Sequence, residues 1–443
     1  MLARMINILQ VLRRNPAFTR VWIAQAISLL GDWFNTIVLA ALVSRYTFEL
    51  TGDASRSGLA VSGLLLARFL PPLLVSPLGG VLLDRFDRKN MLIASDVARV
   101  FIVLGFLLAT TPDRLWLIYL LTALQFGASA VFEPGRSAIL PSITRAEDLV
   151  TANLLSSAIW SVMLAVGGVL GGLISGWLGT GAAIVFDAST FAVSALLIAS
   201  INIPLDQRTP TEAHEKPKAS ARDFTDGLRY ARKNPPIAAA LLIKFGGNIG
   251  SIDTILIIFG TALFVIGDDG VLSLGMLWGA FGIGAVLGPI ILARSNDGSI
   301  KRMRRLVILG YASVTLGWLL LGGSPTLAVA ALAIIVKAIG SSIYWTYSSV
   351  ILQKSVDGAY IGRMFSLDFA GFQFATVVSV IVTGLALEVL GNDQVRTVVY
   401  VTALASTVPL IAWIVLLPIL ERYELQQTSP NLPLSSDSVG TFE

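Results

Sequence analysis

Apolar stretches of about 20 residues recur along this chain, and each is long enough to cross the hydrocarbon core of a bilayer as a helix. The first is "TRVWIAQAISLLGDWFNTIVLAALV", Thr19 to Val43. Within a bilayer every backbone N–H and C=O must be satisfied by the protein itself, so continuous apolar runs of this length are expected to be helical. Hydropathy predicts spans over 19–43, 57–82, 91–110, 115–140, 150–174 and 182–202. After the polar stretch 203–235 it predicts 236–262, 272–294, 305–322, 326–352, 362–388 and 396–420. Charge supports the pattern: 14% of residues are charged and 55% hydrophobic, against about 25% charged in soluble domains.

The expected fold is therefore an all-α membrane protein, with twelve transmembrane helices arranged as two six-helix bundles. The bundles are expected over 1–202 and 236–423, joined by a cytoplasmic linker over 203–235. The stretch "DFTDGLRYARKNP" in that linker places Phe224, Leu228 and Ala231 on one helical face and its arginines elsewhere, as an interfacial helix does. Residues 424–443 are polar and Pro/Ser-rich and are expected to be disordered. "SAILPSI" (Ser137–Ile143) is similar to "SVILQKSV" (Ser349–Val356), which suggests two halves repeated in parallel.

Positive residues concentrate in cytoplasmic loops. With the N-terminus inside, 23 of the 32 Lys and Arg residues fall in inside segments, and four (Arg45, Arg56, Arg114 and Arg396) fall outside. Both termini are expected in the cytoplasm, in a bacterial inner membrane. The start of the chain shows no early apolar core followed by a small-residue cleavage site, so the first span is expected to be an uncleaved anchor. The chain has no cysteine and a single histidine, His214, in a polar segment. Thiolate metal sites and histidine relays within the membrane are excluded. No G-x-x-x-x-G-K-S/T phosphate loop occurs. No enzyme activity, cofactor, metal or nucleic-acid partner is expected, and the expected state is a monomer.

The stretch "GGVLLDRFDRKNML", Gly79 to Leu92, interrupts the apolar pattern with five charges in six residues. Its spacing Gly80-x-x-x-Asp84-Arg85-x-x-Arg88-Lys89 resembles the signature loop of the major facilitator superfamily, with Asp87 where that family usually has glycine. Aspartate tolerates left-handed backbone, so a tight turn is expected to survive there. The resemblance implies a cytoplasmic gate. Asp84 would face the positive end of the eleventh span, and Arg88 would pair with Asp96 or Glu133, with Arg99 and Arg136 three residues beyond them on the same faces. Gly80, Arg85 and Lys89 complete the set.

"LGDWFNTIVLAALV", "GVLLDRFDRKNMLIASDV", "FEPGRSAILPSITRAEDLVTAN" and "FDASTFAVSALL" resemble the bacterial macrolide-efflux and enterobactin-exporter branch of that family. This implies an exporter of amphipathic small molecules driven by the proton-motive force. "VGGVLGGLISGWLG" is similar to that family's antiporter motif, read as Gly167-Gly168-Val169-Leu170-Gly171-Gly172, with Gly168 in place of proline. Gly168, Gly172 and Gly176 recur every four residues, as on a close-packing helix face.

Ionisable groups at bilayer depth cost roughly 2.5–3.5 kcal/mol each on insertion scales and mark function. Asp32 follows Trp22 by ten residues, which puts it about 15 Å deeper, where transporters bind their substrates. A coupling acid must gain and lose a proton with its surroundings. Asp32 is the expected coupling acid, Arg68 its expected partner and Asp253 the second choice. Asp187 is expected to be structural. Trp33, Phe34, Trp160, Lys337, Tyr344, Trp345, Tyr347 and Asp368 are expected to line the substrate cavity, with Phe126 and Trp278 as further aromatics. Arg68 and Lys337 suit an anionic substrate, and the aspartates and aromatics a cationic or neutral one. Coupling to sodium in place of protons stays open at this point. An importer, a lysolipid or siderophore carrier, and a non-transporting membrane sensor are the alternatives.

Overall fold

The computed structural model describes residues 9–52, 57–85, 87–109, 111–130, 132–202, 221–292, 297–357 and 360–428. Among them there is no strand. Ten segments are long and apolar enough to cross a membrane. The expected fourth and fifth spans are not among these ten. The fourth divides into Leu115–Ser129 and Phe132–Ile143. The fifth and sixth form one helical run, Leu149–Ala199, interrupted at Gly179, where φ is 82° and ψ 165°. Glycine reaches that backbone region at no steric cost.

The principal helices are α1 (Pro16–Thr51), α2 (Ser57–Arg85), α3 (Arg88–Gly105), α4 (Leu115–Ser129), α5 (Phe132–Ile143) and α6 (Leu149–Ala199). Next come α7 (Ala221–Lys233), α8 (Pro235–Gly247), α9 (Ile252–Ile258), α10 (Val271–Leu292) and α11 (Ile300–Gly322). The last are α12 (Leu327–Ser355), α13 (Ile361–Leu390) and α14 (Val395–Thr428). One continuous apolar core runs through both halves, from Trp33, Ile37 and Val61 to Trp318, Ile334 and Val399.

Helix α6 lies close against α1 because two glycines make room. A Cβ on Gly167 would stand 2.9 Å from the Trp33 Cβ, and one on Gly171 would stand 3.2 Å from the Phe34 Cα. The close-packing pair in this contact is Gly167 and Gly171, at four-residue spacing and both within the expected glycine motif. The surroundings of Gly168, Gly172 and Gly176 lie outside the described residues, as do those of Gly80, Asp84, Arg85 and Glu133.

The two halves touch at the ends of their helices away from the Asp87–Lys89 turn. Arg45 pairs with Asp269 at 3.0 Å, Asn392 donates to Ser57, and the Ser62 and Thr254 hydroxyls lie 3.4 Å apart. Nearer the middle, Trp33 of α1 meets Trp278 of α10, with ring centroids 5.1 Å apart.

The expected seventh span is broken. Its apolar run is continuous in sequence, but α8 ends at Gly247 and α9 begins at Ile252, with Gly250 at φ 84° between them. Freed backbone groups at membrane depth need new partners. Tyr344 Oη donates to the Gly247 carbonyl at 2.9 Å, Ser379 Oγ to the Asn248 carbonyl at 2.8 Å, and the Ser251 N–H to Thr383 Oγ1 at 3.3 Å. Asp253 sits in the first turn after the break.

The linker segment Ala221–Lys233 is helical, and it docks on the start of α13. Tyr230 stacks on Tyr360 at 4.1 Å, and a Cβ on Gly227 would meet Arg363, Leu367 and Met364. Of its expected apolar face, Ala231 is buried in this contact and Leu228 is exposed.

Candidate functional site

The site is built around one arginine. Arg99, on α3, is buried and lies between two carboxylates. Its Nη1 is 3.3 Å from Asp32 Oδ2, and its Nη2 donates to Asp96 and, at 3.1 Å, to the Ser28 hydroxyl. Asp96 accepts a second bond from Ser194 Oγ at 2.6 Å. The other oxygen of Asp32 accepts from Gln125 Nε2 at 3.3 Å, and Gln125 in turn accepts from Asn35 Nδ2 at 2.9 Å. Phe132 and Phe191 flank the Arg99 guanidinium, with centroids 5.0 and 4.2 Å away. A planar, forked donor suits this double engagement in a way that lysine would not.

Arg99 therefore takes the position expected of Arg68. Arg68 donates instead to Thr36 Oγ1, one turn beyond Asp32, and that hydroxyl donates to the Asp32 carbonyl. The Arg68 guanidinium lies over Trp33 at 4.6 Å and Phe126 at 4.9 Å. Its charge still acts on Asp32, and also on Asp253 across the interface. Asp253 in turn acts on Lys337. Ion pairs join Asp96, Arg99 and Asp32, and Arg68, Asp253 and Lys337 extend this series of alternating charges into the other half through their fields and without direct ion pairs.

Asp96 and Arg99 do not join the expected gate. Arg88 stands at the start of α3, and Arg99 lies 11 residues later, about 16 Å deeper along the helix. Lys89 is buried and donates to the Ala199 and Ile201 carbonyls at 2.8 and 2.6 Å, so it closes the C-terminal end of α6. Asp87 does not make the expected left-handed turn. Its φ is −56°, and its carboxylate accepts the Asn90 N–H as an N-cap of α3. Arg136 is buried.

The expected cavity residues divide. Trp33 carries Trp160 edge-on at 5.7 Å, Trp278 at 5.1 Å and the Arg68 cation, while Trp160 remains 45% exposed. These four side chains form a cluster of rings and one cation beside Asp32, buried except at Trp160. Phe34 is fully buried against Val38 and Ala183, and is a packing residue. Lys337 is buried between Phe281 and Trp318. Tyr344 is occupied at the α8–α9 break, and Tyr347 is buried. Asp368 is not open to a cavity: it pairs with Lys244, which also donates to Ser349 and lies over Trp345 at 4.4 Å. Lys244 was missing from the expected set, as were Gln125, Asn35, Ser28 and Ser194. Their polarity within apolar runs was the available signal.

The family model described as "Major Facilitator Superfamily" matches residues 21–356. Macrolide efflux protein A of Streptococcus pyogenes is 23% identical over 391 residues, covering 85% of this chain and 91% of that protein. BacE of Bacillus subtilis, whose name proposes bacilysin export, is 25% identical over 345 residues, covering 77% of this chain and 82% of that protein. A bacterial homologue of the human lysosomal transporter Spinster, solved inward-facing and unoccupied, superposes with a TM-score of 0.68 at 12% identity, covering 92% of this chain and 98% of that one.

Proposed function

Because the chain belongs to the Major Facilitator Superfamily, we propose that it exports amphipathic small molecules from a bacterial cytoplasm by proton antiport. It is a multi-pass membrane transporter, not an enzyme. Export, the proton and the substrate class are the proposed parts, together with an inner-membrane location and both termini in the cytoplasm.

One observation carries the reading. Asp32 is 9% exposed, held by Arg99 and Gln125, and its chain neighbour Trp33 forms the centre of the ring-and-cation cluster that reaches the exposed Trp160. A carboxylate so placed responds to what binds next to it. Substrate moving Trp33 or Arg68 alters the field at Asp32 and releases or admits its proton. The two relatives named for export support the direction. The charge chain into Asp253 and Lys337 gives the two halves a shared element that alternating access can make and break.

The test is reconstitution into liposomes with an acidic lumen and a panel of macrolides, catecholates, dyes and lysolipids. Uptake of one class with loss of lumenal protons supports the reading. A response that needs a sodium gradient overturns the proton, and transport only towards the cytoplasmic face overturns export.

A further inference from the structure

A fourth carboxylate belongs to the cluster around Arg99. Asp187, on α6, is 0% exposed, and among the described residues no hydrogen bond reaches either of its carboxylate oxygens. Thr190 Oγ1 stands beside it but donates to the Asp187 backbone carbonyl at 2.7 Å. Helix α1 comes close at Gly31, where a Cβ would stand 2.3 Å from Asp187 Oδ1 and 2.2 Å from Thr190 Oγ1. The next residue of α1 is Asp32. The charges that act on Asp187 are those of Asp32, on α1, and Arg99, on α3. Asp96, also on α3, is held by Arg99 and by Ser194, two turns along α6 from Asp187.

Charge balance decides what this group does. Arg99, Arg68 and Lys337 are the cations of the buried chain, and Asp32, Asp96 and Asp253 are the carboxylates that they balance. Among the described residues, Asp187 would add one negative charge beyond those that these three cations balance, with only the Thr190 hydroxyl beside its carboxylate and that hydroxyl turned to the backbone. An isolated ionised carboxylate away from water is so costly that such groups neutralise. We propose that Asp187 is a second proton-binding site of the transporter, sharing with Asp32 one proton that the pair does not give up together.

The relay is balanced. While Asp32 is ionised and bound to Arg99, Asp187 carries the proton. When that proton passes from Asp187 to Asp32, the Asp32–Arg99 pair is lost, and the newly ionised Asp187 is balanced by the Arg99 charge that Asp32 has given up. Carboxylates that act on each other titrate as a pair, and a proton moved between them leaves the net charge of the cluster unchanged. Asp187 thereby gives a proton taken at Asp32 a second position on α6, the helix whose other half contacts Trp33 through Gly167.

This deepens the reading of Asp32 as coupling acid and rests on it, but its test does not require transport. Infrared spectra of the purified full-length chain would be recorded across neutral pH for the wild type, Asp187→Asn and Asp32→Asn. The wild type is expected to show, at neutral pH, the carbonyl stretch of a neutral carboxylic acid, and Asp187→Asn to lack it. In Asp32→Asn the band is expected to disappear at a lower pH than in the wild type, because Arg99 is then free to hold an ionised Asp187. A wild type without the band, or a band that survives Asp187→Asn, overturns the site. An unchanged midpoint in Asp32→Asn overturns the sharing. Should Asp187→Asn fail to fold, [13C]aspartate labelling of the wild type replaces it: a protonated carboxyl resonance at neutral pH supports the site, and its absence overturns it. Failure of Asp32 as coupling acid would be read separately, in transport by Asp32→Asn.

Discussion

Arg99 Nη1 lies 3.3 Å from Asp32 Oδ2, across the contact between α3 and α1, while the same guanidinium holds Asp96 one turn away on its own helix. Removing one partner of a buried ion pair costs about 3–5 kcal/mol, because the other charge is left unpaired. Arg99→Met is therefore expected to lower the thermal stability of the detergent-solubilised protein sharply. Arg99→Met with Asp96→Asn is expected to recover part of the loss. A single variant as stable as the wild type would show that the cluster is already solvated.

The Lys244–Asp368 pair in the other half offers a parallel case. A double-mutant cycle on thermal unfolding, using Lys244→Met and Asp368→Asn, is expected to give a coupling energy of about 0.5–3 kcal/mol, as contacting residues do. Additive single effects would contradict the pairing.

How much of this was legible in the sequence differs from residue to residue. The spacing of Asp96 and Arg99 made their pairing readable, since residues three apart share a helix face. The burial of Asp32 is consistent with its distance from Trp22 along the first span. Which of two arginines reaches Asp32 did not follow, because that depends on how α2 and α3 are rotated about their axes, and one sequence does not contain those angles. Hydropathy hid the break after Gly247, because apolar residues continue on both sides of it. The glycines and asparagine in "FGGNIGS" were its only trace. Asp187 read as structural because nothing in its own helix shows that Gly31 opens the facing one.

At that break, Tyr344 gives its hydroxyl to the Gly247 carbonyl. Tyr344→Phe leaves a buried acceptor unsatisfied, at a cost of about 1–3 kcal/mol. The expected result is a lower melting temperature with substrate selectivity unchanged. A shift in selectivity without loss of stability would return Tyr344 to the cavity.

Gly171 and Gly371 are both helical glycines with opposite surroundings. A Cβ at Gly171 would meet the Phe34 backbone at 3.2 Å, whereas at Gly371 nothing stands within 4 Å. Gly171→Leu is expected to abolish folded protein in size-exclusion chromatography. Gly371→Ala is expected to be neutral, or stabilising by up to about 1 kcal/mol. Equal tolerance at the two positions would contradict the α1–α6 packing.

Transport by Asp32→Asn in liposomes tests the coupling role most directly, using whichever probe the wild type carries. With an acidic lumen, the variant is expected to lose pH-driven accumulation of the probe and the accompanying lumenal proton loss, while still exchanging labelled for unlabelled probe with no gradient. Undiminished pH-driven accumulation by Asp32→Asn would contradict the assignment.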